Sequence, residues 1–377
     1  MLATIRRSSV ISLFALAQAV SPLALAAVPA KYKPDAVAPS TPDTVERGFI
    51  SYQTPPILHV KDGSTVLINT VSHGGLTEDP VAFFAKADIP AKDVLPDAIA
   101  IAKATKAGKW ASDAGFGGHV LTGPIYIDGA EPGDMLEVRI LKVTPRTYYG
   151  VNGVGPGGVA PKVLTERDQK VIKFDTKRGV MLFAKGVEPK MRPFMGIMAV
   201  APSPEVGKVG SRAPGPFGGN MDFRRLTAGS TLYLPVFNKG ALFVTGDSHA
   251  GQGDGEVSGN ANESSMAPLL QFIVHKGEGK AMHFPWAEDA ENYYILGMDP
   301  VLDKAADSAV TETIHWLHDK KGMSLSDAYH LCSVGVDFSV SQAVDQNLII
   351  YGAIPKATFT KKTPYWATAA APKAKKG

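Results

Sequence analysis

One short segment of the chain concentrates side chains that can bind a metal ion or move a proton. After an apolar run it reads Gly246-Asp247-Ser248-His249-Ala250-Gly251-Gln252-Gly253-Asp254-Gly255-Glu256. Carboxylate oxygens and imidazole nitrogens are common ligands of divalent ions, and glycine lets the backbone approach a bound group closely. Asp247 and His249 are two residues apart, so they share one face, and can share one ion, if a strand extends to His249. Glu256 lies beyond the turn, where it can act as a general base, although a polar hairpin with solvated carboxylates has the same spacing.

Three further patches carry residues of the same kinds. Asp222 can bind a metal ion, and Asn220 can orient a ligand or donate to a substrate oxygen, unless Gly-Gly-Asn is a turn that Asp222 caps. His119 precedes a predicted strand, a position from which an imidazole reaches a cleft, and a purely structural histidine is the alternative. His73, in a Ser-His-Gly-Gly sequence, is a candidate fourth ligand or substrate contact, with a surface loop as the alternative.

Two other features have simpler interpretations. His315 and His318 are three residues apart on a predicted helix, which resembles half of a metal site, but we prefer a solvated helix face. Cys332 is the single cysteine, so no intrachain disulfide can form, and its apolar neighbour Leu331 indicates a packed thiol.

The elements that must position these side chains are predicted to be mostly strands. The 38 glycines and 28 prolines favour many turns and short strands. Short apolar or alternating runs between turn residues cover 57–60, 65–71, 135–143, 232–236, 241–245, 269–275 and 347–351. The spacing predicts a mainly β fold, an antiparallel β-sandwich of the jelly-roll type with a few packing α-helices. The helices are predicted over 303–320 and 324–332, where Ser324 and Asp327 form a capping box, and over 91–106, which contains Pro96.

Composition and charge restrict the class of protein. The 377 residues are 45% hydrophobic and 20% charged, which suffices for a large core and excludes disorder as the default. The formal charge is only +3, and no long basic block precedes the extreme C-terminus. Nucleic acid is therefore not an expected partner.

The first 26 residues have the pattern of a cleavable secretory signal. Arg6 and Arg7 precede an apolar run that begins at Val10, and the small residues Ala24 and Ala26 form a cleavage site. The run is too short for a membrane span, and whether export uses the general or the twin-arginine route stays open. We expect a periplasmic or secreted protein that has no membrane association once the signal is removed. The predicted organisation is a signal peptide (1–26), a flexible leader (27–45), one catalytic domain (46–360) and a disordered Lys/Ala tail (361–377).

Several stretches together resemble one known family. They are LTGP at 121–124, GAEPGDML at 129–136, GNMD at 219–222, LYLPV at 232–236, GALF at 240–243, GDSHAGQGDGE at 246–256, SVGVDF at 333–338 and AIPK at 353–356. The chain resembles the acetamidase/formamidase family over roughly 57–356, most of the expected mature protein. Members are metal-associated hydrolases of small linear amides, have a β-rich sandwich-like fold and often form dimers. The resemblance thus implies an amidase that releases ammonia and a carboxylate, and a homodimer.

The resemblance also implies a shared site. Its metal ligands are predicted to be Asp222, Asp247, His249 and His119. Glu256 is the predicted general base with Asp254 as the alternative, and Asn220 and His73 are the predicted substrate contacts. Nitrogen and oxygen ligands together suit zinc or a similar divalent ion, while the carboxylates also accept calcium.

Two other functions remain compatible with the residues. A non-catalytic exported β-sandwich that binds a small polar ligand or glycan through a calcium loop explains Asp247, Asp254 and Glu256. It explains His249 and His119 less well, because imidazole is a poor calcium ligand. A metal-dependent hydrolase of an ester or a cyclic amide is also open, since no motif marks the residues that line a substrate pocket.

Overall fold

The computed structural model describes residues 33–361 and 363–368 of the chain. The predicted signal peptide lies outside these residues. In chain order the strands are β1 (Ala36–Ala38), β2 (Val45–Arg47), β3 (Phe49–Ile50), β4 (Leu58–Val60), β5 (Thr65–Ile68), β6 (Val120–Ile127), β7 (Met135–Pro145), β8 (Tyr149–Val154), β9 (Asp168–Asp175), β10 (Val180–Leu182), β11 (Phe194–Ala199), β12 (Val209–Gly210), β13 (Gly218–Asn220), β14 (Thr231–Pro235), β15 (Phe243–His249), β16 (Met266–His275), β17 (Trp286–Glu288), β18 (Asn292–Asp299), β19 (Asp337–Gln342) and β20 (Leu348–Pro355). The α-helices are α1 (Pro80–Ala85), α2 (Pro96–Lys106), α3 (Leu302–Lys321) and α4 (Leu325–Gly335), and short 3-10 helices cover Ala91–Asp93, Ala111–Asp113 and Lys356–Thr358.

The larger sheet contains nine of these strands in the order β1-β5-β16-β7-β14-β17-β18-β20-β19. All of its pairings are antiparallel except that of β1 with β5. Alternate residues of β7, which are Leu136, Val138 and Ile140, are fully buried, as expected for a strand with one face on a core. The run predicted over 135–143 is therefore a strand of this sheet.

The second large sheet packs against the first around one core. Its order is β13-β11-β15-β6-β2, with β4 added in parallel to β6. The rings of Phe243 in β15 and Phe272 in β16 lie 4.9 Å apart between centroids, and both are buried in the core cluster that the two sheets share. Burying one such side chain stabilises the fold by roughly 1.5–3 kcal/mol. The prediction of a mainly β, antiparallel sandwich is confirmed.

Helices α3 and α4 cover the outer face of the nine-stranded sheet. A Cβ atom on Gly297 of β18 would lie 2.1 Å from the Ala309 backbone nitrogen, so the glycine lets α3 approach the strand directly. The Ser324 side chain accepts a hydrogen bond from the Asp327 backbone N–H at the start of α4, as the capping pattern predicted. Helix α2 begins at Pro96, a residue tolerated in the first turn because its missing N–H has no helical partner.

Both ends of the described chain are more ordered than the sequence indicated. The leader predicted over 27–45 contains β1, whose residues Ala36–Ala38 pair in parallel with Val66–Ile68. The tail predicted from 361 contains Tyr365, which is buried and donates a hydrogen bond to the Gly229 carbonyl at 2.9 Å. Residues 36–38 and 363–368 therefore belong to the packed structure, and the predictions of a flexible leader and a disordered tail are wrong for these residues. Among the residues placed by the structure, none of the helices combines the length and apolar character that crossing a membrane requires.

Candidate functional site

Strand β15 carries the two central side chains of the site. It runs between β11 and β6 and is buried along its whole length. The strand extends to His249, and the His249 Nε2 lies 3.4 Å from the Asp247 Oδ2, so the two side chains do lie together. Asp247 has a φ of 50°, a left-handed backbone conformation that is rare outside glycine and concentrated at functional sites.

Two more histidines reach the same carboxylate from other parts of the chain. His73 follows β5, and its Nδ1 lies 3.1 Å from the Asp247 Oδ1. His119 immediately precedes β6, and its Nε2 lies 3.8 Å from the same oxygen. The Ser211 hydroxyl lies 2.8 Å from the His119 Nδ1 and fixes the ring orientation. Both histidines, which the sequence placed in unrelated segments, therefore join β15 at one place.

Glu263 completes this part of the site, and the sequence did not single it out. Its Oε2 lies 3.2 Å from the His249 Nε2 and 3.8 Å from the His73 Nδ1. Its backbone pairs with Val151 and His249 in isolated bridges just before β16, which holds the side chain beside β15. We call His73, His119, Asp247, His249 and Glu263 the histidine group.

Three carboxylates form a second part of the site. Asp222 follows β13, Glu256 follows β15, and Asp345 lies between β19 and β20, and one oxygen of each is within 4.8 Å of the others. Asp222 and Glu256 have φ values of 43° and 42°, again in the left-handed region. We call these residues the carboxylate group. It touches the histidine group through Asp222, whose Oδ1 lies 3.6 Å from the His249 Nδ1.

Two predicted site residues are not members of these groups. Asp254 is held in a two-pronged ion pair by the Arg224 guanidinium, at 2.7 and 3.0 Å, and is absent from the clusters that can hold a metal. Glu256, and not Asp254, is therefore the predicted base that lies beside the candidate metal ligands. Asn220 is buried at the end of β13, and its Oδ1 has no hydrogen-bond partner within the described part of the chain.

Burial and mutual repulsion dominate the electrostatics of the carboxylate group. Burial raises the pKa of Asp222 well above its ordinary value, and Glu256 and Asp345 raise it further. Burial and the neighbouring Asp345 likewise hold the pKa of Glu256 well above its usual range. Burial raises the pKa of Asp345 to about 6. Three neighbouring carboxyl groups that resist ionisation together are a place where a bound cation is stabilising.

The histidine group contains opposite charges instead. Burial disfavours ionisation of Asp247, but the imidazoles of His119 and His249 outweigh it and hold the pKa of this carboxyl well below its ordinary value. Burial also disfavours charge on His249, yet Glu263 and Asp247 raise its pKa well above the usual range. Burial lowers the pKa of His119 to about 4, so this imidazole is neutral at pH 7 and can bind a metal ion.

The donor atoms fit a divalent metal ion. His73, His119 and Asp247 each offer an atom within 4.8 Å of the other two, and so do Asp222, Asp247 and His249. Several of these atoms are buried without a hydrogen-bond partner among residues 33–361 and 363–368. They include His73 Nδ1, Asp222 Oδ1 and Oδ2, Asp247 Oδ1, His249 Nε2 and Glu263 Oε2. Buried polar atoms normally make hydrogen bonds, so convergent nitrogen and oxygen atoms that make none indicate a ligand set for a divalent metal ion.

A cleft of about 590 Å³ reaches the site from one side. Glu256 and Gln252 line it, whereas Glu263 lines a much smaller cavity of about 20 Å³. The Gln252 Oε1 lies 3.1 Å from the His249 Nδ1, and its Nε2 donates to the Asp222 carbonyl at 2.8 Å. The arrangement can therefore bring a small molecule from the cleft to a carboxylate, Glu256, that stands beside the candidate metal ligands.

Comparison with known proteins gives one family. A model of the acetamidase/formamidase family matches residues 114–214 and 206–361. The acetamidase of Mycolicibacterium smegmatis is 27% identical over 199 residues, which are 37% of this chain and 49% of that protein. The formamidase of Methylophilus methylotrophus is 28% identical over 197 residues, again 37% of this chain and 47% of the relative. The chain thus spans about half the length of the curated relatives it matches.

Solved structures match over more of the chain. A recombinant predicted acetamidase/formamidase from Thermoanaerobacter tengcongensis has a TM-score of 0.70 and 26% identity, covering 86% of this chain and 96% of that one. An acetamidase from Yersinia enterocolitica has a TM-score of 0.71 at 24% identity, covering 88% of this chain and 95% of that one, and shows the shared fold. The architecture described above is therefore that of these proteins.

Proposed function

Because the chain belongs to the acetamidase/formamidase family, we propose that it hydrolyses small linear amides of the formamide and acetamide type with the help of a divalent metal ion. The products are ammonia and a carboxylate. The names of the relatives, acetamidase and formamidase, support this activity. The observation that carries the proposal is the position of Glu256, which lines the cleft and also lies within 4.8 Å of His249 and Glu263.

The metal ion, in our proposal zinc, would be held by Asp247 and His249 together with Asp222 and His119. These are the ligands predicted from the sequence, and Asp247 is shared by two groups that could hold an ion, one with His73 and His119 and one with Asp222 and His249. When bound, such an ion polarises a carbonyl group and makes water a stronger nucleophile. His73 and Glu263 offer further nitrogen and oxygen atoms beside the same side chains.

The proton transfers are carried out by side chains of the protein. In the proposed reaction a water oxygen forms a bond to the carbonyl carbon, and Glu256, whose ionised form a nearby bound cation would favour, takes the proton that this water loses. The carbon–nitrogen bond breaks, and Glu256 returns the proton to the departing nitrogen, which leaves as ammonia. Asn220 and His73, the substrate contacts predicted from the sequence, do not line the cleft that Glu256 lines, and His73, with 24% of its side chain exposed, lies beside Asp247 and Glu263.

Two experiments test this proposal. Glu256→Gln keeps the shape of the side chain but removes the proton acceptor, so kcat for acetamide should fall by about 10²–10⁴-fold while the metal content is unchanged. Asp254→Asn is the matched comparison, and its effect on kcat should be far smaller. Removing the metal with a chelator should abolish ammonia release, and adding zinc should restore it. Full turnover by the Glu256→Gln protein would show that the base is another group, and turnover that survives chelation would remove the metal from the proposal.

Two properties of the whole protein are proposed as well. We propose that residues 1–26 are a cleaved export signal and that the mature protein begins at Ala27 in the periplasm or outside the cell. Sequencing the amino terminus of protein recovered from the periplasmic fraction tests this. We also propose a homodimer, which light scattering of the purified protein tests.

A further inference from the structure

The cleft beside Glu256 is larger than a two-carbon amide needs. Its volume of about 590 Å³ falls in the range of roughly 300–1,000 Å³ that holds drug-sized ligands. Its lining includes Gln252 and the buried Glu256 and Asn262, whose polar groups can donate to and accept from a carboxamide group. The remaining lining must therefore contact some other part of a substrate.

One wall of this cleft is apolar. Ile172, Met181 and Phe183 come from β9, β10 and the residue that follows β10, and Val257, in the loop after β15, lines the same cleft. Phe183 and Val257 are 38% and 63% exposed, and exposed apolar side chains at the edge of a groove are typical of ligand-binding surfaces. A Cβ atom on Gly251 would lie 2.7 Å from the Met181 Cε, so this glycine lets Met181 pack against the loop.

The rim of the cleft is cationic. Arg224 is neutralised by Asp254, but Arg192 and Lys190 are exposed and have no ion pair within the part of the chain the structure describes. The guanidinium of Arg192 has the donor geometry that binds a carboxylate through two parallel hydrogen bonds. An anionic group on the substrate would supply the missing partner.

We propose that the substrates of this enzyme are primary amides whose acyl part has an apolar body of several carbons and a carboxylate at its far end. The carboxamide lies at Glu256, Gln252 and Asn262, the carbon chain lies along the apolar wall, and the carboxylate pairs with Arg192. This inference rests on the proposed amidase function and names the substrate class of the same site. Arg192 is then the residue that determines specificity.

A series of three amides tests the proposal in the metal-loaded full-length protein. Acetamide, hexanamide and adipamate, the monoamide of adipic acid, differ first in chain length and then in the terminal carboxylate. We expect kcat/KM to rise about tenfold from acetamide to hexanamide and about tenfold again to adipamate. The second step should shrink as ionic strength rises, since an exposed charge pair is screened by salt.

Substitutions separate the charge of Arg192 from other effects. Arg192→Gln should lower the ratio of kcat/KM for adipamate to that for hexanamide about tenfold, and Arg192→Lys should restore part of it. Lys177→Gln is the matched control, because Lys177 is exposed in the turn between β9 and β10 and does not line the cleft, so the ratio should stay at its wild-type value.

The outcomes distinguish this proposal from the function on which it rests. Hydrolysis of acetamide with no preference for adipamate over hexanamide overturns the substrate class and leaves the amidase function intact. An adipamate preference that Arg192→Gln leaves unchanged overturns the role of Arg192. If no amide in the series is hydrolysed, the amidase function is wrong and the substrate class falls with it.

Discussion

Asp247 is the residue that joins the parts of the candidate site. Its Oδ1 faces His73 at 3.1 Å and His119 at 3.8 Å, and its Oδ2 faces His249 at 3.4 Å. Because three imidazoles surround the Asp247 carboxylate, this side chain cannot move without losing contacts. Its position therefore depends on the room that residues of the adjoining strand leave for it. Gly196 in β11 is one of these.

Replacing Gly196 with alanine should displace the side chains of Asp222 and Asp247 and also the β15 backbone, because the new Cβ atom would lie 2.7 Å from the Asp247 carbonyl oxygen. A Cβ atom at this position would lie 2.4 Å from the Asp222 Oδ1 and 2.8 Å from the Asp247 Oδ2, so both carboxylates must move. We expect Gly196→Ala to lose bound metal and about 100-fold or more in kcat/KM for acetamide, because ångström-scale displacement of catalytic groups has effects of this size. Metal analysis and ammonia release measure both.

Gly157→Ala is the control for this substitution, because a Cβ atom there meets no other atom within 4 Å. It should retain metal and turnover. A Gly196→Ala protein with wild-type metal content and turnover would mean that Asp222 and Asp247 are not ligands.

The part of the site that the sequence predicted is the part that local spacing controls. Asp247 and His249 are two residues apart on a strand, and the strand does extend far enough to bring them together. Glu263 and Asp345 carried no such signal, because each joins the site through contacts with residues far away in the chain. Asp254 has the right residue type and lies in the right segment, but its partner Arg224 is thirty residues away and could not be inferred from spacing.

At the scale of elements, the strands were predictable and their partners were not. Alternating apolar residues identified β7 and β16, whose pairing from Met135 to Pro145 holds the centre of the nine-stranded sheet. The short strand β1 has no periodicity of its own, and it forms because β5, about thirty residues later, offers a free edge. For the same reason Tyr365 looked like part of a tail, although Thr231 and Gly229 bind its hydroxyl.

The free energy of unfolding should depend on pH through Asp134, a carboxyl in the turn before β7. Burial alone would raise the pKa of Asp134, but hydrogen bonds from the Lys276 ammonium and the backbone N–H groups of Gly277 and Glu131 outweigh it and lower this pKa. A carboxyl whose pKa is lower in the folded state stabilises the fold above its unfolded pKa, about 3.9, and loses that effect as pH falls below about 4.

Asp134→Asn should therefore be destabilising at neutral pH and much less so in acid. We expect the free energy of unfolding to fall by about 1–3 kcal/mol at pH 7, since two or more donors lose a charged acceptor, and the difference from wild type to shrink at about pH 3. Denaturant unfolding at both pH values measures this. Asp128→Asn, at a residue whose side chain is 54% exposed in the loop after β6, should change little at either pH. An equal difference between wild type and Asp134→Asn at both pH values would show that the ionisation of Asp134 does not contribute.

At the scale of the whole molecule, the site depends on both large sheets. Asp222, His119 and the two residues of β15 come from the six-stranded sheet or its ends, while His73, Glu263 and Asp345 adjoin strands of the nine-stranded sheet. The formal charge of the whole chain is only +3. The excess of carboxylates over imidazoles at this junction is therefore a local feature. A metal ion bound there would connect the two sheets.

Metal binding should therefore raise the stability of the entire fold. An ion that binds only the folded state stabilises it by about 2.7 kcal/mol when its free concentration is a hundred times its dissociation constant. We expect the midpoint of thermal unfolding to rise with zinc concentration in a single transition, because the ligands come from both sheets and neither can unfold without releasing the ion.

Asp247→Asn should reduce this zinc-dependent shift, since it weakens the group that faces three imidazoles, whereas Asp128→Asn should retain it in full. Comparing the shifts, and not the midpoints themselves, separates metal binding from any effect of the substitution on the apo fold. A wild-type midpoint that is independent of zinc would mean that the buried carboxylates and imidazoles satisfy one another without an ion. The raised pKa values of Asp222, Glu256 and Asp345 would then be the means by which the fold tolerates them, because protonated carboxyl groups can donate hydrogen bonds to one another.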